Sequence, residues 1–319
     1  MRIVSLVPSA TEVVFALGMG HHLVGRSHEC DHPAAARSAP AVTRDRLPGG
    51  GTAAAIDAAV ATSVRDAHTI YELDQELLAE LVPDLILTQA LCAVCAVDEP
   101  RVARAVCSMP APARVVATDP RDLAGVLASI DEIGGVLDAA EQATALRRRL
   151  EGRLASLRRM LEGRPRPRVA VLEWPDPLYA PGHWVPEMVD AAGGESVFGA
   201  AGAPSRPASF AELAAGRPEV IVLAFCGFDL HETQARLREL ASSPGWLEAS
   251  RSARVVAVDG SAFFSRPGPR VVDGIGLLSW ALHRVHPEGR PLVGGAAELI
   301  EAGWIDLASL PASVDQRTA

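Results

Sequence analysis

Arg254-Val255-Val256-Ala257-Val258-Asp259 repeats, with one change, Arg114-Val115-Val116-Ala117-Thr118-Asp119. A short run of β-branched and apolar residues that stops at an acid reads as a buried strand feeding a turn. Arg168-Val169-Ala170-Val171-Leu172-Glu173 echoes the opening Arg2-Ile3-Val4-Ser5-Leu6. Pro218-Glu219-Val220-Ile221-Val222-Leu223 likewise echoes Pro83-Asp84-Leu85-Ile86-Leu87. Three paired echoes in the same order describe a chain that runs through one supersecondary plan twice. They are too few and too widely spaced for a solenoid.

Helical patterns separate these strands. Ser9-Ala10-Thr11-Glu12 has the form of a capping box opening a helix to about Leu17, and Ser209-Phe210-Ala211-Glu212 has it again. Leu23–Gly25 reads as a brief strand and Gln75–Val82 as a helix. Strands alternating with helices imply parallel βαβ units. The expectation is therefore an α/β protein of two Rossmann-like lobes with parallel sheets, a ligand cleft between them and one long connecting helix. Residues 1–120 make the N-terminal lobe, 121–166 a helical segment containing the connector, and 167–319 the C-terminal lobe. The connector is placed at Asp138–Gly163, rich in Ala, Leu, Arg and Glu and free of proline. As one helix it would span roughly 39 Å at about 1.5 Å per residue.

Composition narrows the function. The chain has 319 residues, 49% of them hydrophobic, enough for two packed cores. Its net charge is −9 and every cation is an arginine, because the sequence contains no lysine. An acidic chain without a basic block has no footprint for nucleic acid and does not suit an anionic membrane surface. No apolar run reaches transmembrane length. Strand-like sequence begins at Met1-Arg2-Ile3, without the pattern of a secretory signal. The reading is a cytoplasmic protein, or a periplasmic one if trimmed at a cleavage point. Five cysteines, an odd number, do not describe a disulfide framework. A monomer is expected.

Ligands of parallel α/β sheets bind outside the carboxyl ends of the strands. The loops there carry much of the unusual chemistry: Pro8 and Ser9, His28, Gln89, Trp174, Tyr179, His183, Trp184, Phe228, Phe263, Phe264 and Arg266. Apolar walls with a few polar groups suit a small-molecule cleft, and these twelve residues are the ligand-binding candidates. Arg206 and Arg266 have the chemistry to hold amide or phosphate oxygens. Cys92-x2-Cys95 has chelating spacing, and His28-Glu29-Cys30 adds soft and borderline donors. His28, Cys30, Cys92 and Cys95 are thus candidate ligands for Zn or another soft transition metal. Simple packing is the competing reading for the cysteines, which are among the most often buried residues. His21, His22, His68, His231, His283 and His286 read as solvated.

The chain resembles the class III periplasmic-binding-protein family, the helical-backbone metal receptors, and within it the cobalamin-binding branch. The likeness is carried by Arg2-Ile3-Val4-Ser5-Leu6-Val7-Pro8-Ser9-Ala10-Thr11-Glu12, Pro83-Asp84-Leu85-Ile86-Leu87 and Ala192-Gly193-Gly194-Glu195. Phe263-Phe264-Ser265-Arg266-Pro267-Gly268-Pro269-Arg270 and the connector complete it, so that it extends to about His286. The resemblance implies a corrinoid such as cobalamin lying flat between the lobes, with Pro8 and Phe263 among its contacts, and an ABC permease as partner. Phe263 stands where those relatives carry tryptophan, and Ser265 where they carry an acid.

No G-x-S-x-G elbow, Walker loop, G-x-G-x-x-G or H-E-x-x-H occurs. Non-catalytic binding of a small metal chelate is the favoured function. One alternative is an enzyme or metalloprotein with a metal on Cys30, Cys92, Cys95 and His28, and Glu173 or Asp229 as acid or base. Another is an intracellular carrier or sensor that hands a corrinoid to a dependent protein.

Overall fold

The computed structural model describes residues 1–46, 50–65, 70–90, 102, 104–106, 112–285 and 304–306. It divides into two compact units, Met1–Leu150 with Pro267–Pro269, and Glu151–Arg266 with Arg270–Ala319. Cys92 and Cys95 lie outside the described residues.

In unit 1 the strands β1 (Ile3–Ser5), β2 (Leu23–Arg26), β5 (Leu85–Gln89) and β6 (Arg114–Thr118) form a parallel sheet in the order β2-β1-β5-β6. Every residue of β1 and β5 is buried, which is why both read as unbroken apolar runs. The sheet packs its Val4, Leu6 and Ile86 with Val42, Leu78 and Val102. Each such side chain, fully buried, stabilises by roughly 1.5–3 kcal/mol. Helix α1 (Pro8–Ala16) follows β1, and α2 (Ala53–Arg65), α3 (Gln75–Glu80) and α4 (Leu123–Val136) lie in the same unit. The capping-box expectation for Ser9 fails. The N-cap is Val7 without a side-chain cap, and Pro8 opens the helix, since its fixed φ suits a first turn that needs no N–H there. Asp74 and Asp122 do cap α3 and α4, accepting from the amides of Leu77 and Gly125 at 2.9 and 2.6 Å. A hairpin-like pair not expected from sequence joins β3 (Thr43–Asp45) to β4 (Tyr71–Leu73). Its strands are three residues long with α2 between them, too short to show a period.

The connecting helix α5 runs Ala140–Leu161, slightly shorter than expected: at about 1.5 Å per residue its 22 residues span roughly 33 Å. The unit boundary falls within it.

Unit 2 repeats the plan. Strands β7 (Arg168–Leu172), β10 (Glu195–Ser196), β12 (Val220–Leu223) and β13 (Arg254–Val258) pair in parallel in the order β10-β7-β12-β13. Thus β7 takes the place of β1, β12 of β5 and β13 of β6, as the three echoed segments predicted, and β10 takes that of β2, which no echo marked. Strand β14 (Trp304–Asp306) adds antiparallel to the edge of β13. The helices are α6 (Val185–Ala191), α7 (Phe210–Ala215), α8 (Leu230–Ala241), α9 (Trp246–Ser250), α10 (Gly260–Phe263) and α11 (Val271–His283). Here the second pattern holds in its first half: Ser209 Oγ accepts from the Glu212 amide at 3.2 Å, while the Glu212 carboxylate pairs with Arg206. A small antiparallel sheet, β11 (Arg206–Pro207), β9 (Leu178–Ala180) and β8 (Trp174–Pro175), stands after β7. Among the described residues no helix is long and apolar enough to cross a membrane.

Candidate functional site

In unit 2 the strand order reverses between β7 and β12. The loops leaving their carboxyl ends are therefore where an open α/β sheet forms its crevice. Trp174 begins the loop after β7 and Phe228 lies in the one after β12. Their rings stack, with centroids 5.1 Å apart and planes 22° apart. The guanidinium of Arg236, from α8, sits 5.0 Å from the Phe228 ring centre and 2.5 Å from the Glu239 carboxylate. Trp174 and Arg236 thus both pack on the Phe228 ring, which is itself buried, and the partly exposed Trp174 gives this cluster its polarisable surface. The loops are tied to one another by backbone: the Cys226 amide donates to the Glu173 carbonyl at 2.9 Å. Trp174 is fixed as well, its Nε1 donating to the Asp176 carbonyl at 3.1 Å. Tyr179 is its direct cross-strand partner on β9, so the two rings share one face of the small sheet.

His183 occupies a left-handed conformation, φ +50, held by a bond from its amide to Ala203 at 2.7 Å and one from the Gly202 amide to its carbonyl at 2.9 Å. Non-glycine residues take this region at a cost, which the surrounding bonds offset. Its ring stacks on Trp184 at 5.7 Å. Trp184 itself is buried and its Nε1 donates to the Phe264 carbonyl at 2.8 Å. Phe264, 1% exposed, belongs to the core of the unit. These two belong to the scaffold behind the loops, and Phe228 is buried as well, leaving Trp174, Tyr179, His183 and Phe263 partly exposed among the aromatic candidates of this unit. Phe263 lies on α10 with Arg270 over its ring at 5.7 Å, and Arg266 on the following loop is 8% exposed. Gly260 opens α10 where a Cβ would lie 2.3 Å from the Phe225 carbonyl, so only glycine lets the two loops meet. Asp259 caps α10 by accepting from the Ala262 amide at 2.6 Å; burial pushes its carboxyl above the ordinary range, and Asp229 adds to the rise.

In unit 1, Pro8 and Ser9 start α1 and are buried, and Gln89 ends β5, also buried. His28 follows β2. Its Nδ1 lies 2.7 Å from Thr43 Oγ1, and Tyr71 meets the ring edge-on at 5.1 Å. Nε2 is shielded from solvent without a hydrogen bond; the nearest acid, Glu29, is 3.4 Å away. Thr43 and Tyr71 come from the unexpected β3–β4 pair, so the sequence pattern could not show that His28 is oriented. Cys30 is fully buried, its Sγ accepting from Thr11 Oγ1 at 3.0 Å and lying 3.8 Å from the Ser5 carbonyl. Those are the bonds of a packed thiol. Among the described residues no group of three or more His, Cys, Asp or Glu gathers as a metal site.

A groove of about 850 Å³ lies elsewhere in unit 2, lined among others by Leu154, Arg158, Arg159, Arg164, Arg166 and Asp190. It sits where the chain enters β7 and β10, the end of the sheet away from the aromatic stack. Helices α5, α6 and α11 end around it. Arg164 donates to the carbonyls of Met160 and His283 at 3.1 and 3.5 Å, and His283 Nε2 meets the Gly193 carbonyl at 3.1 Å. Its arginines answer the negative helix ends. His283, expected in solvent, is half-buried, and burial together with Arg164 lowers its pKa.

The fold is also recognisable by comparison. The model of the family described as "Periplasmic binding protein" matches residues 3–262. The periplasmic heme-binding protein RhuT from Roseiflexus sp. RS-1, in apo form, is 23% identical with a TM-score of 0.66, covering 88% of this chain and 97% of its own. The periplasmic vitamin B12 binding protein BtuF of Vibrio cholerae is 21% identical with a TM-score of 0.62, covering 88% and 96%. A periplasmic heme binding protein from Pseudomonas aeruginosa is 23% identical at 0.65, covering 92% and 95%. No curated protein matches the chain. With the doubled parallel plan, the connecting helix and a family match over most of its length, the chain belongs to the periplasmic binding protein family.

Proposed function

We propose that this protein binds a flat, metal-containing macrocycle without transforming it, and that the macrocycle is a corrinoid such as cobalamin. The observation that carries the reading is the partly exposed Trp174 ring, stacked on the buried Phe228 at the point where the strand order of unit 2 reverses. An extended ring system gains from a fixed aromatic plane, because the plane is ordered before the guest arrives. Tyr179, His183, Phe263 and Arg266 in unit 2, and Pro8, Ser9 and Gln89 in unit 1, are the further proposed contacts. His28 is the proposed axial donor: Thr43 holds its Nδ1, and Nε2, 3.4 Å from the Glu29 carboxylate, would have to leave that neighbour and its shielded position to reach a metal. The similar folds of a B12-binding and two heme-binding proteins support a metal chelate as the class of guest. An ABC permease is the proposed partner, as is usual for the family.

The test is titration of the purified chain with hydroxocobalamin, followed by absorbance and by calorimetry. A spectral shift with micromolar or tighter binding is expected, at least tenfold weaker in Trp174→Ala. Neither shift nor heat with hydroxocobalamin, but both with hemin, would replace the corrinoid by a porphyrin. Neither with both would end the chelate reading.

A further inference from the structure

We propose that the groove between the last turns of α5 and the end of α6 is a second binding site, for an organic anion with an apolar body: a carboxylate or phosphate head on a hydrocarbon chain. The site is separate from that of the macrocycle, since the groove lies within unit 2 at the end of the sheet where the chain enters β7 and β10. Its volume of about 850 Å³ falls in the range of roughly 300–1,000 Å³ that small-molecule clefts occupy. Leu154, Ala155 and Leu161 from α5 and Ala191 from α6 give it an apolar lining. The charged groups on the same walls are four arginines against two acids, Glu162 and Asp190. In a chain of net charge −9 this is a local reversal of sign, and it favours an anion here.

The four arginines divide between two tasks. Arg164 donates to the carbonyls of Met160 and His283, and Arg166 to the Gly194 carbonyl and, at 2.8 Å, to Asp190. These two meet the helix ends and one of the two acids. Arg158 and Arg159 lie in the last turn of α5, on the face that also carries Leu154 and Ala155 four residues before them. Helical side chains lean toward the start of their helix, which carries both guanidiniums back from the terminal carbonyls and over that apolar strip. Both arginines are exposed, and among the described residues neither guanidinium is paired, even with Glu162 three and four residues on. A guanidinium fork takes two oxygens of a carboxylate or phosphate, and the leucine and alanine strip takes hydrocarbon. An inorganic anion would leave the strip unused, and a neutral hydrocarbon would leave the forks unused.

Hexanoate, octanoate, decanoate and decyl phosphate, each below its micelle threshold, are titrated into the full chain by calorimetry. Inorganic phosphate and decyltrimethylammonium serve as the head without the body and the body with the opposite charge. One decanoate or decyl phosphate should bind per chain, and the tighter of the two names the head group. Affinity should rise along the carboxylate series, by up to about fourfold for each added methylene. Replacing both arginines, Arg158→Gln with Arg159→Gln, should weaken the decyl anion at least tenfold while leaving the thermal midpoint of the free chain where it was. The proposal is overturned by no binding of either decyl anion, or by an affinity that is flat along the series. Equal binding of inorganic phosphate or of decyltrimethylammonium overturns it too, as does binding that the double replacement leaves intact.

Discussion

Asp259 is at once a helix cap and a buried acid. Its side chain caps α10, while burial holds its carboxyl above the ordinary value of 3.8. A carboxylic acid whose pKa is raised by folding keeps its proton more firmly in the folded chain than in the unfolded one. Its contribution is most favourable below 3.8 and declines as pH rises through the folded value. Asp259→Asn retains a capping oxygen and loses the charge, so it should melt higher than the parent at pH 7, with the difference closing near pH 3.5. Thermal melts at the two pH values check this; a gap that persists in acid would show another cause. The same scale explains what could be read in advance. Trp174 and Phe228 were legible as site candidates because each directly follows a strand whose apolar run is unmistakable. Arg236 was not, since a guanidinium on an amphipathic helix looks solvated until the ring beneath it is placed. Thr43 was missed with its short strand.

The helices divide on similar lines. The helices capped by Asp74 and Ser209 began where the sequence indicated, whereas the first began at Pro8 and left Ser9 and Glu12 inside its buried turns. A capping-box pattern cannot outweigh a proline one residue earlier, whose fixed backbone angle already suits a first turn. At their other ends, α5, α6 and α11 bring their carbonyl ends to one corner, with Gly193 at φ +83 so that His283 can approach. The imidazole is harder to protonate there than in the unfolded chain, where its pKa is 6.5. The associated stability is complete above about 6.5 and is lost as pH falls below it. Replacing His283 with Gln keeps a donor for the Gly193 carbonyl and removes the titration. The urea midpoint of this variant should fall less than that of the parent between pH 7 and pH 5. An equal fall would place the acid sensitivity on other groups.

For the molecule as a whole, the doubled plan was the most legible feature, because β-strand repeats buried on both faces leave the same apolar signature wherever they occur. The placement of individual side chains was less so, depending as it does on turns such as that at His183 which no periodicity marks. If the chelate reading holds, the guest stabilises the folded chain by mass action, about 2.7 kcal/mol when free ligand stands at 100 times Kd. A melt with excess hydroxocobalamin should then rise by several degrees, and an unchanged midpoint at saturating ligand would contradict it. The bond from the Trp184 indole to the Phe264 carbonyl carries a further consequence. It clips the start of α6 to the end of α10 whether or not anything is bound, so the ordering of these segments is completed when the chain folds. Capture of a guest then draws on little extra loss of freedom, and its speed should be set by encounter rather than by rearrangement of this wall.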